Sequence, residues 1–404
     1  MLAVTSAAKG PLSGVRILEI GSMVAGPVAA TLLGDFGADV IKLEQPQGGD
    51  PIRHSGPMLK GESLWFSVEG RNKRSVTLDL RKPEGQRILH GLVNHADVLI
   101  ENFRPGTMAG WNCDYARLEQ TNPRLIMLSI SGYGQTGPNA ALASYDRVAL
   151  AFAGFLNATG YADRPPVRPG FAIADYQTAL YGAFSVMMAL YSRDLRHGRG
   201  QHIDLSLYET VFRFTEFMIT AYDKLGLNRE RNGNVAAQAS PGDHYPTSDG
   251  RYMALTIAAD NVFARLCTAI GRPELAADER FARHPARSKN YTTINGIVAD
   301  WIKSNTVQVV TENLTKNGVP HSLIYSPAEI VADPHYAARG SIATMDHPRL
   351  GLLKMPAPVP HFSETPAPPL RPAPLLGENT REVLGELLNM SPEDIQALRR
   401  TGVV

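Results

Sequence analysis

The sequence predicts an α/β protein in which helices cover a twisted parallel sheet. Segments of helical spacing at 28–36 and 85–94 alternate with short β-branched or apolar runs at 15–20, 40–43, 75–78, 98–100 and 125–130. This alternation is typical of βαβ units, whose parallel strands are buried. At 404 residues the chain can bury more than one core, so we expect a second domain.

The later elements complete the large domain and then begin the second one. Helical runs at 178–191 and 207–225 are rich in small and apolar residues and should be buried. Beyond about residue 228, Asp249-Gly250 is a hairpin turn signal, and helical segments follow at 262–270 and 295–304. We predict a Rossmann-like large domain over 1–227 and a small α+β domain over 228–330. Residues 331–404 are expected to form a linker, a strap and the rest of the large domain.

Two segments near the C-terminus carry local signals. The proline-rich tract 356–374 cannot form a helix and should be an extended strap over the surface between the domains. Ser391 and Pro392, followed by two acids, are typical of a helix start with Ser391 as its N-cap.

Composition excludes several classes of function. The net charge of +1, with 44% apolar and 20% charged residues, gives no sign of a nucleic-acid or membrane partner. Two cysteines, Cys113 and Cys267, cannot form a disulfide framework, and the histidines lack metal-ligand spacing, so we expect no metal. Without a signal peptide or a long apolar segment, a soluble cytoplasmic protein is predicted.

Asp175 is the residue with the strongest chemical signal. It follows the run Phe171-Ala172-Ile173-Ala174 and precedes the helical segment 177–191. An ionised carboxylate at the positive end of a helix dipole, in apolar surroundings, suits a nucleophile that attacks an acyl group. Asp is also a favoured N-cap residue, so the sequence alone leaves a structural cap open.

The segment 21–27 is a second candidate, since it connects a strand to a helix. It lacks the spacing of a dinucleotide-binding loop but could offer backbone N–H groups to a phosphate or an oxyanion. A plain connection is the alternative. No nucleophile elbow is present, because Tyr133 stands between the glycines of Gly132-Tyr133-Gly134.

Many short motifs together resemble the class III coenzyme A transferase family, which includes formyl-CoA transferase, carnitine CoA-transferase and α-methylacyl-CoA racemase. The similarity runs over residues 11–384 and includes the segment Glu101-Asn102-Phe103-Arg104-Pro105-Gly106. Further matching segments are 12–19, 25–27, 36–44, 49–53, 72–75, 131–134, 198–201 and 376–378.

The resemblance implies a ping-pong mechanism with Asp175 as the covalent carrier. Asp175 attacks the thioester of an acyl-CoA and forms an anhydride, and the CoA thiolate then returns to give an aspartyl-CoA thioester. Amides near Val24 and Ala25, and later the loop 232–242, are expected to stabilise the oxyanions.

The resemblance also implies where coenzyme A, a substrate and product rather than a tightly bound cofactor, contacts the protein. Lys73, Arg74 and Arg104 are expected to bind its phosphates, although without the family such residues read as a solvated surface. Asn102 and Phe103 match the pantetheine and adenine region, and Tyr133 matches a tyrosine beside the thioester. Compared with formyl-CoA transferase, the chain has Gln45 in place of a phosphate-contacting arginine and Val24 in place of a glutamine beside the reacting carbonyl. Its loop 232–242 also lacks the consecutive glycines of that enzyme. These differences argue against formate and oxalate as substrates.

Two other functions compete with CoA transfer. A 2-methylacyl-CoA racemase needs an acid/base pair, and the racemase branch has a histidine where this chain has Tyr145, so transfer is favoured. A non-catalytic CoA-binding protein is disfavoured by Asp175. We expect transfer of CoA from a dicarboxylyl-CoA such as succinyl-CoA to a free carboxylic acid. The family further implies a homodimer of interlinked chains.

Overall fold

The computed structural model describes residues 9–235 and 239–404, which form two compact units. The first contains the chain as far as Leu156, then Arg168–Asn228 and Arg339–Val404. The second contains Asn157–Val167 and Arg229–Ala338. The second unit is therefore inserted into the sequence of the first.

The strands form four sheets within the described residues. They are, in chain order, β1 (Arg16–Glu19), β2 (Asp39–Glu44), β3 (Met58–Leu59), β4 (Glu62–Ser63), β5 (Lys73–Thr77), β6 (Val98–Glu101), β7 (Ile126–Ser131), β8 (His202–Ser206), β9 (Gly242–Pro246), β10 (Tyr252–Thr256), β11 (His321–Leu323), β12 (Ile342–His347) and β13 (Gly351–Pro356).

The largest sheet has six strands in the order β5-β2-β1-β6-β7-β8, and every neighbouring pair is parallel. The prediction of an α/β fold with a parallel, Rossmann-like sheet is confirmed. Alternate residues of its strands point to opposite faces, so Leu128 and Met127 belong to different cores. The sheet is thus buried on both sides.

The helices connect these strands and cover them. They are α1 (Ala25–Gly34), α2 (Leu64–Glu69), α3 (Pro83–Val93), α4 (Thr107–Gly110), α5 (Tyr115–Thr121), α6 (Asp146–Phe152), α7 (Ile173–Ser192), α8 (Leu207–Phe212), α9 (Met218–Leu225), α10 (Asp260–Ala269), α11 (His284–Lys289), α12 (Tyr291–Lys303), α13 (Val307–Lys316), α14 (Pro327–Ala332), α15 (Pro334–Ala338), α16 (Thr380–Leu388) and α17 (Pro392–Arg400).

Each face of the main sheet has its own hydrophobic core. Residues of α1, α6, α7 and α8 pack on one face. Residues of α3, α5, α16 and α17 pack on the other. The long helix α7 ends shortly before β8 begins, so its own start lies toward the carboxyl ends of the parallel strands.

The second unit has an antiparallel sheet, in the order β11-β10-β9, covered by α10, α12 and α13. The predicted turn at Asp249-Gly250 joins β9 to β10 as a hairpin. The side chain of Arg287 is fully buried in this core and lies over the ring of Phe263, 4.5 Å from its centroid. Its Nε donates to the carbonyl of Ser240 at 2.8 Å.

The predicted helix start is confirmed, because Ser391 caps α17 in a reciprocal capping box with Asp394. The proline-rich tract 356–374 contains no helix, and Pro356 is the last residue of β13. Its role as a strap stays a prediction. No helix of the described chain, residues 9–235 and 239–404, is long and apolar enough to cross a membrane.

The prediction of a buried helical run over 207–225 is wrong. The run is divided into α8 and α9, with Glu216 between them at a positive φ of 55°. No residue of α9 is buried, and Leu225 is 71% exposed. One side of α7 is likewise open, with Leu180 62% and Tyr191 60% exposed. These faces are apolar yet uncovered in the single chain.

Candidate active site

Asp175 lies in the first turn of α7, as the third residue of that helix. The helix begins at Ile173, and the preceding Ala172 has no side chain able to cap it. The alternative that Asp175 is a structural N-cap is therefore wrong, because the helix starts before it. Its position at the carboxyl edge of the sheet is where open α/β sheets bind their ligands.

The surroundings of Asp175 oppose its ionisation. Burial, and secondly the nearby carboxylate of Asp146, raise the pKa of Asp175 from 3.8 to about 7. The helix dipole favours the ionised form but is outweighed. The direction of this pKa shift opposes the expectation that the helix end keeps Asp175 fully ionised.

Asp146 is a site residue that the sequence did not single out. It is the first residue of α6 and is only 8% exposed. Its Oδ1 accepts the backbone N–H of Ala174 at 2.8 Å, directly before Asp175. The available signal was an acid at the start of a helical run, but its partner lies 28 residues away.

Tyr176 fixes the same turn from another direction. Its hydroxyl donates to Glu69 Oε1 at 2.9 Å and accepts the indole N–H of Trp65 at 3.1 Å. Burial raises the pKa of Glu69. The residues on both sides of Asp175 are therefore anchored to helices other than α7.

The turn before α1 is held by two side chains from elsewhere in the chain. Asn102 accepts the N–H of Ser22 through Oδ1 and donates through Nδ2 to the carbonyl of Ser22, both at 2.8 Å. Asp50 Oδ1 accepts the N–H of Met23 at 2.9 Å. Met23 has a positive φ of 63°, a strained value for a side chain of this size. The hydrogen bonds from Asn102 and Asp50 hold the backbone of this turn in the strained conformation.

Val24 and Ala25 stand at the start of α1, which no side chain caps among the described residues. The first amides of a helix have no partner within it. Helix α1 packs against α7, and Val24, Ala25 and Ala174 share one hydrophobic core. The structure thus brings the predicted oxyanion donors to the sheet edge that carries Asp175.

Lys73 is placed differently from the prediction of a phosphate ligand. Its side chain is fully buried, and its Nζ donates to Glu19 Oε2 at 2.8 Å and to the carbonyl of Pro27 at 2.7 Å. Burial lowers the pKa of Lys73 even though Glu19 is beside it. Phosphate binding by this amine stays a prediction, and it requires breaking a buried ion pair.

Arg74 is also engaged by carboxylates. Its guanidinium contacts Asp39 at 2.6 Å, Glu386 at 2.9 Å and Glu382 at 3.0 Å. Asp39 is the first residue of β2, so this cluster lies toward the amino ends of the strands, away from Asn102. Phosphate binding by Arg74 stays a prediction, and these ion pairs with three carboxylates disfavour it.

Phe103 lies beside a cavity at the carboxyl edge. Its ring meets Trp111 edge to face with centroids 5.1 Å apart, and its N–H donates to the buried Glu101 Oε2 at 2.8 Å. The cavity measures about 230 Å³, and the residues that line it include Ser22, Gln45, Leu78, Leu80, Phe103 and Trp111. The lining of the cavity is mainly apolar, with polar groups contributed by Ser22, Gln45 and Asp50.

Two exposed arginines are sequence neighbours of residues that line this cavity. Arg104 follows Phe103, is exposed and forms no ion pair within the part of the chain that the structure describes. Arg81 follows Leu80; its side chain is 61% exposed, and its Nε contacts Asp79 at 2.8 Å. Arg81 was not predicted from the sequence, although a basic residue after an apolar strand end was an available signal.

Tyr133 is half-buried in an aromatic cluster. Its ring centroid lies 5.0 Å from that of Phe152 and 6.2 Å from that of Tyr208. The predicted contact of Tyr133 with a thioester remains untested by these distances. The loop 232–242 can be judged only in part, since residues 236–238 lie outside the described residues.

Comparison with known proteins identifies the family. Residues 12–380 match the sequence model of CoA-transferase family III. The chain belongs to the class III CoA-transferase family. It is 42% identical to the succinyl-CoA–D-citramalate CoA-transferase of Chloroflexus aurantiacus over 98% of each chain. It is 38% identical to the succinate–glutarate CoA-transferase of Agrobacterium fabrum, covering 94% of this chain and 96% of that one.

The fold comparison agrees. A crystal structure of a CaiB/BaiF family protein from Brucella suis superimposes with a TM-score of 0.83 at 35% identity, covering 94% of this chain and all of the other. The predicted family and enzyme class are confirmed. The protein is a CoA-transferase, for which coenzyme A is a substrate.

Proposed function

We propose that this CoA-transferase moves CoA from a dicarboxylyl-CoA, with succinyl-CoA as the first candidate, to a free carboxylic acid through covalent intermediates on Asp175. The observation that carries the proposal is the partly buried carboxyl of Asp175 at the ligand-binding edge of the sheet. The substrate class rests on relatives named for succinyl-CoA or succinate with citramalate or glutarate.

The chemistry follows from the carboxylate form of Asp175. Its oxygen attacks the thioester carbonyl, the C–S bond breaks, and an anhydride and a CoA thiolate result. The thiolate then attacks the Asp175 carbonyl of the anhydride, and the donor acid leaves as its carboxylate. The enzyme now carries CoA as a thioester, which the acceptor carboxylate resolves by the reverse steps.

Both attacks pass through an oxyanion, which backbone amides can stabilise. The amides of Val24 and Ala25 are the proposed donors, because the start of α1 lacks a side-chain cap. Asn102 acts through its two hydrogen bonds to Ser22, which set the direction of the turn. Asn102 is therefore a positioning residue for these donors.

The nucleotide end of coenzyme A is proposed to occupy the cavity beside Phe103. The rings of Phe103 and Trp111 offer apolar surface for an adenine. Arg104 and Arg81 are the proposed phosphate contacts, since both guanidinium groups are solvent-accessible. Tyr133 is retained as the proposed neighbour of the thioester.

The residue at position 145 does not support racemisation. Tyr145 is 75% exposed and supplies no imidazole to accept a proton near neutral pH. A racemase would incorporate deuterium from solvent into the α-position of a 2-methylacyl-CoA. We expect incorporation at background level only, and clear incorporation would favour the racemase.

The transfer itself is tested with a panel of acyl-CoA donors and carboxylate acceptors. In the same experiment, hydroxylamine or borohydride traps the acylated residue for mass spectrometry. We expect modification at Asp175 and loss of turnover in Asp175→Ala. Asp300→Ala is a matched control, because Asp300 is an exposed aspartate inside helix α12. Substantial turnover in Asp175→Ala would overturn the mechanism. Absence of labelled-CoA exchange in the parent would favour a non-catalytic CoA-binding protein.

A homodimer of interlinked chains is part of the proposal. Its support is the uncovered apolar surface of α7 and α9, where Phe184 is 56% and Tyr222 63% exposed. Sedimentation at micromolar concentration should give the mass of two chains, and a monomer would contradict this.

We also propose a cytoplasmic location, consistent with the buried, unpaired thiols of Cys113 and Cys267. Fractionation of cells that express the chain checks it.

A further inference from the structure

We propose that Asp146 is a positioning residue that caps helix α7 and, by repelling the Asp175 carboxylate, favours the covalent intermediates of the transfer reaction. The inference rests on the proposed role of Asp175 and extends it to a second carboxylate. It concerns the balance between resting and acylated enzyme, which the family name does not determine.

The capping part of this role follows from geometry. Helix α7 begins after Ala172, which cannot accept a hydrogen bond through its side chain. Asp146 Oδ1 accepts the Ala174 N–H at 2.8 Å, so a carboxylate from α6 takes the place of a local N-cap. A shift of this contact would move the peptide that precedes Asp175.

The electrostatic part follows from charge balance. When Asp175 ionises in the resting enzyme, its negative charge lies beside Asp146, and the surroundings are poor in water. In the anhydride that charge has moved to the leaving thiolate, and in the thioester it has left with the donor acid. Repulsion between the two carboxylates is therefore present only before acylation, and its relief favours the covalent states.

Other groups around the turn do not provide this effect. Helix α2 supplies Glu69, whose carboxyl is bound by the Tyr176 hydroxyl. Helix α8 supplies the neutral Thr210, whose hydroxyl is paired with that of Thr178 at 2.7 Å. Burial, and secondly the Asp146 carboxylate, raise the pKa of Asp175.

Two variants separate the capping of α7 by Asp146 from its electrostatic effect on Asp175. Asp146→Asn keeps an oxygen for the Ala174 N–H but removes the charge, whereas Asp146→Ala removes both. Tyr176→Phe is a further comparison, because it disturbs the same turn through Trp65 and Glu69 without changing the charge at position 146.

The measurement is the fraction of enzyme that carries CoA on Asp175 at equilibrium with an acyl-CoA and its free acid, read by intact-protein mass spectrometry. We expect Asp146→Asn to lower the ratio of thioester to free enzyme by about 3- to 10-fold and to extend activity to lower pH, since one pKa unit is a tenfold change. Tyr176→Phe should slow turnover without moving the pH profile.

The outcomes distinguish the inference from the function on which it rests. A parent enzyme without any thioester at Asp175 would overturn the proposed mechanism. A parent with the thioester, and an Asp146→Asn variant with the same ratio and the same pH profile, would overturn only the role of Asp146. If Asp146→Ala fails to fold, the Asn variant alone still decides.

Discussion

Replacing Asp175 by Asn should abolish transfer and stabilise the fold. The rise of the Asp175 pKa from 3.8 to about 7 corresponds to roughly 4 kcal/mol if fully expressed, at about 1.4 kcal/mol for each pKa unit. The side chain is partly exposed, so solvent screening reduces this value. We therefore expect Asp175→Asn to raise the free energy of unfolding by about 1–3 kcal/mol at pH 8.

The sign depends on which state holds the proton. Between about pH 4 and 7 the unfolded chain releases the Asp175 proton while the folded chain keeps it, so ionisation increasingly favours unfolding as the pH rises. Above about pH 7 the destabilisation is complete, and below pH 4 it is absent. The advantage of the variant should therefore shrink by about half or more between pH 8 and pH 5.

Urea unfolding of parent and variant at both pH values measures this difference, with hydrogen exchange of α7 as a local probe. Asp300→Asn controls for removal of an exposed carboxylate and should show no comparable pH dependence. An Asp175→Asn gain that is absent at pH 8, or equal at pH 5 and pH 8, would refute the argument that burial and Asp146 destabilise this carboxylate.

Three further predictions concern residues around the site and the second core. Asn102→Ala removes both hydrogen bonds to Ser22 and should lower kcat about 10- to 100-fold with a smaller effect on KM; an unchanged kcat would show that the turn needs no clamp. Arg104→Ala should raise the KM for the CoA ester about 10-fold or more, whereas Arg74→Ala should mainly lower stability, and the reverse pattern in steady-state kinetics and thermal unfolding would return Arg74 to the phosphate site. Arg287→Ala should destabilise the second unit by about 3–5 kcal/mol in urea unfolding, because it leaves buried carbonyls without donors; a loss below about 1 kcal/mol would contradict that account.

Local patterns predicted the parts of the fold that depend on local chemistry. Alternating strand and helix periods identified the parallel sheet, and Ser391 with Pro392 identified the start of α17. The division of 207–225 into two helices depends on the backbone at Glu216, where an ordinary side chain adopts a positive φ. An apolar run carries no signal for such a bend.

The site shows the same limit. Asp175 stands out because its neighbours in sequence are apolar, but the contact of Asp146 with Ala174 spans 28 residues and has no local signature. Lys73 and Arg74 look alike as neighbouring bases in a motif. Adjacent residues of a strand point to opposite faces, so one enters a buried pair with Glu19 and the other a carboxylate cluster at the amino edge.

The chain covers the outer edge of its main sheet with residues that are synthesised long after that edge strand. In the outer strand β5 the carbonyl of Ser75 accepts the N–H of Asn379, and just beyond the strand Asp79 donates its N–H to the carbonyl of Val403. During translation this strand is made some 300 residues before its partners, as the separation of Ser75 and Asn379 shows. The inserted unit can therefore complete its own core on the ribosome while the edge of the larger unit is still open. A nascent chain stalled before residue 375 should be captured by chaperones, and a chain extended to include residues 375–404 should escape that capture.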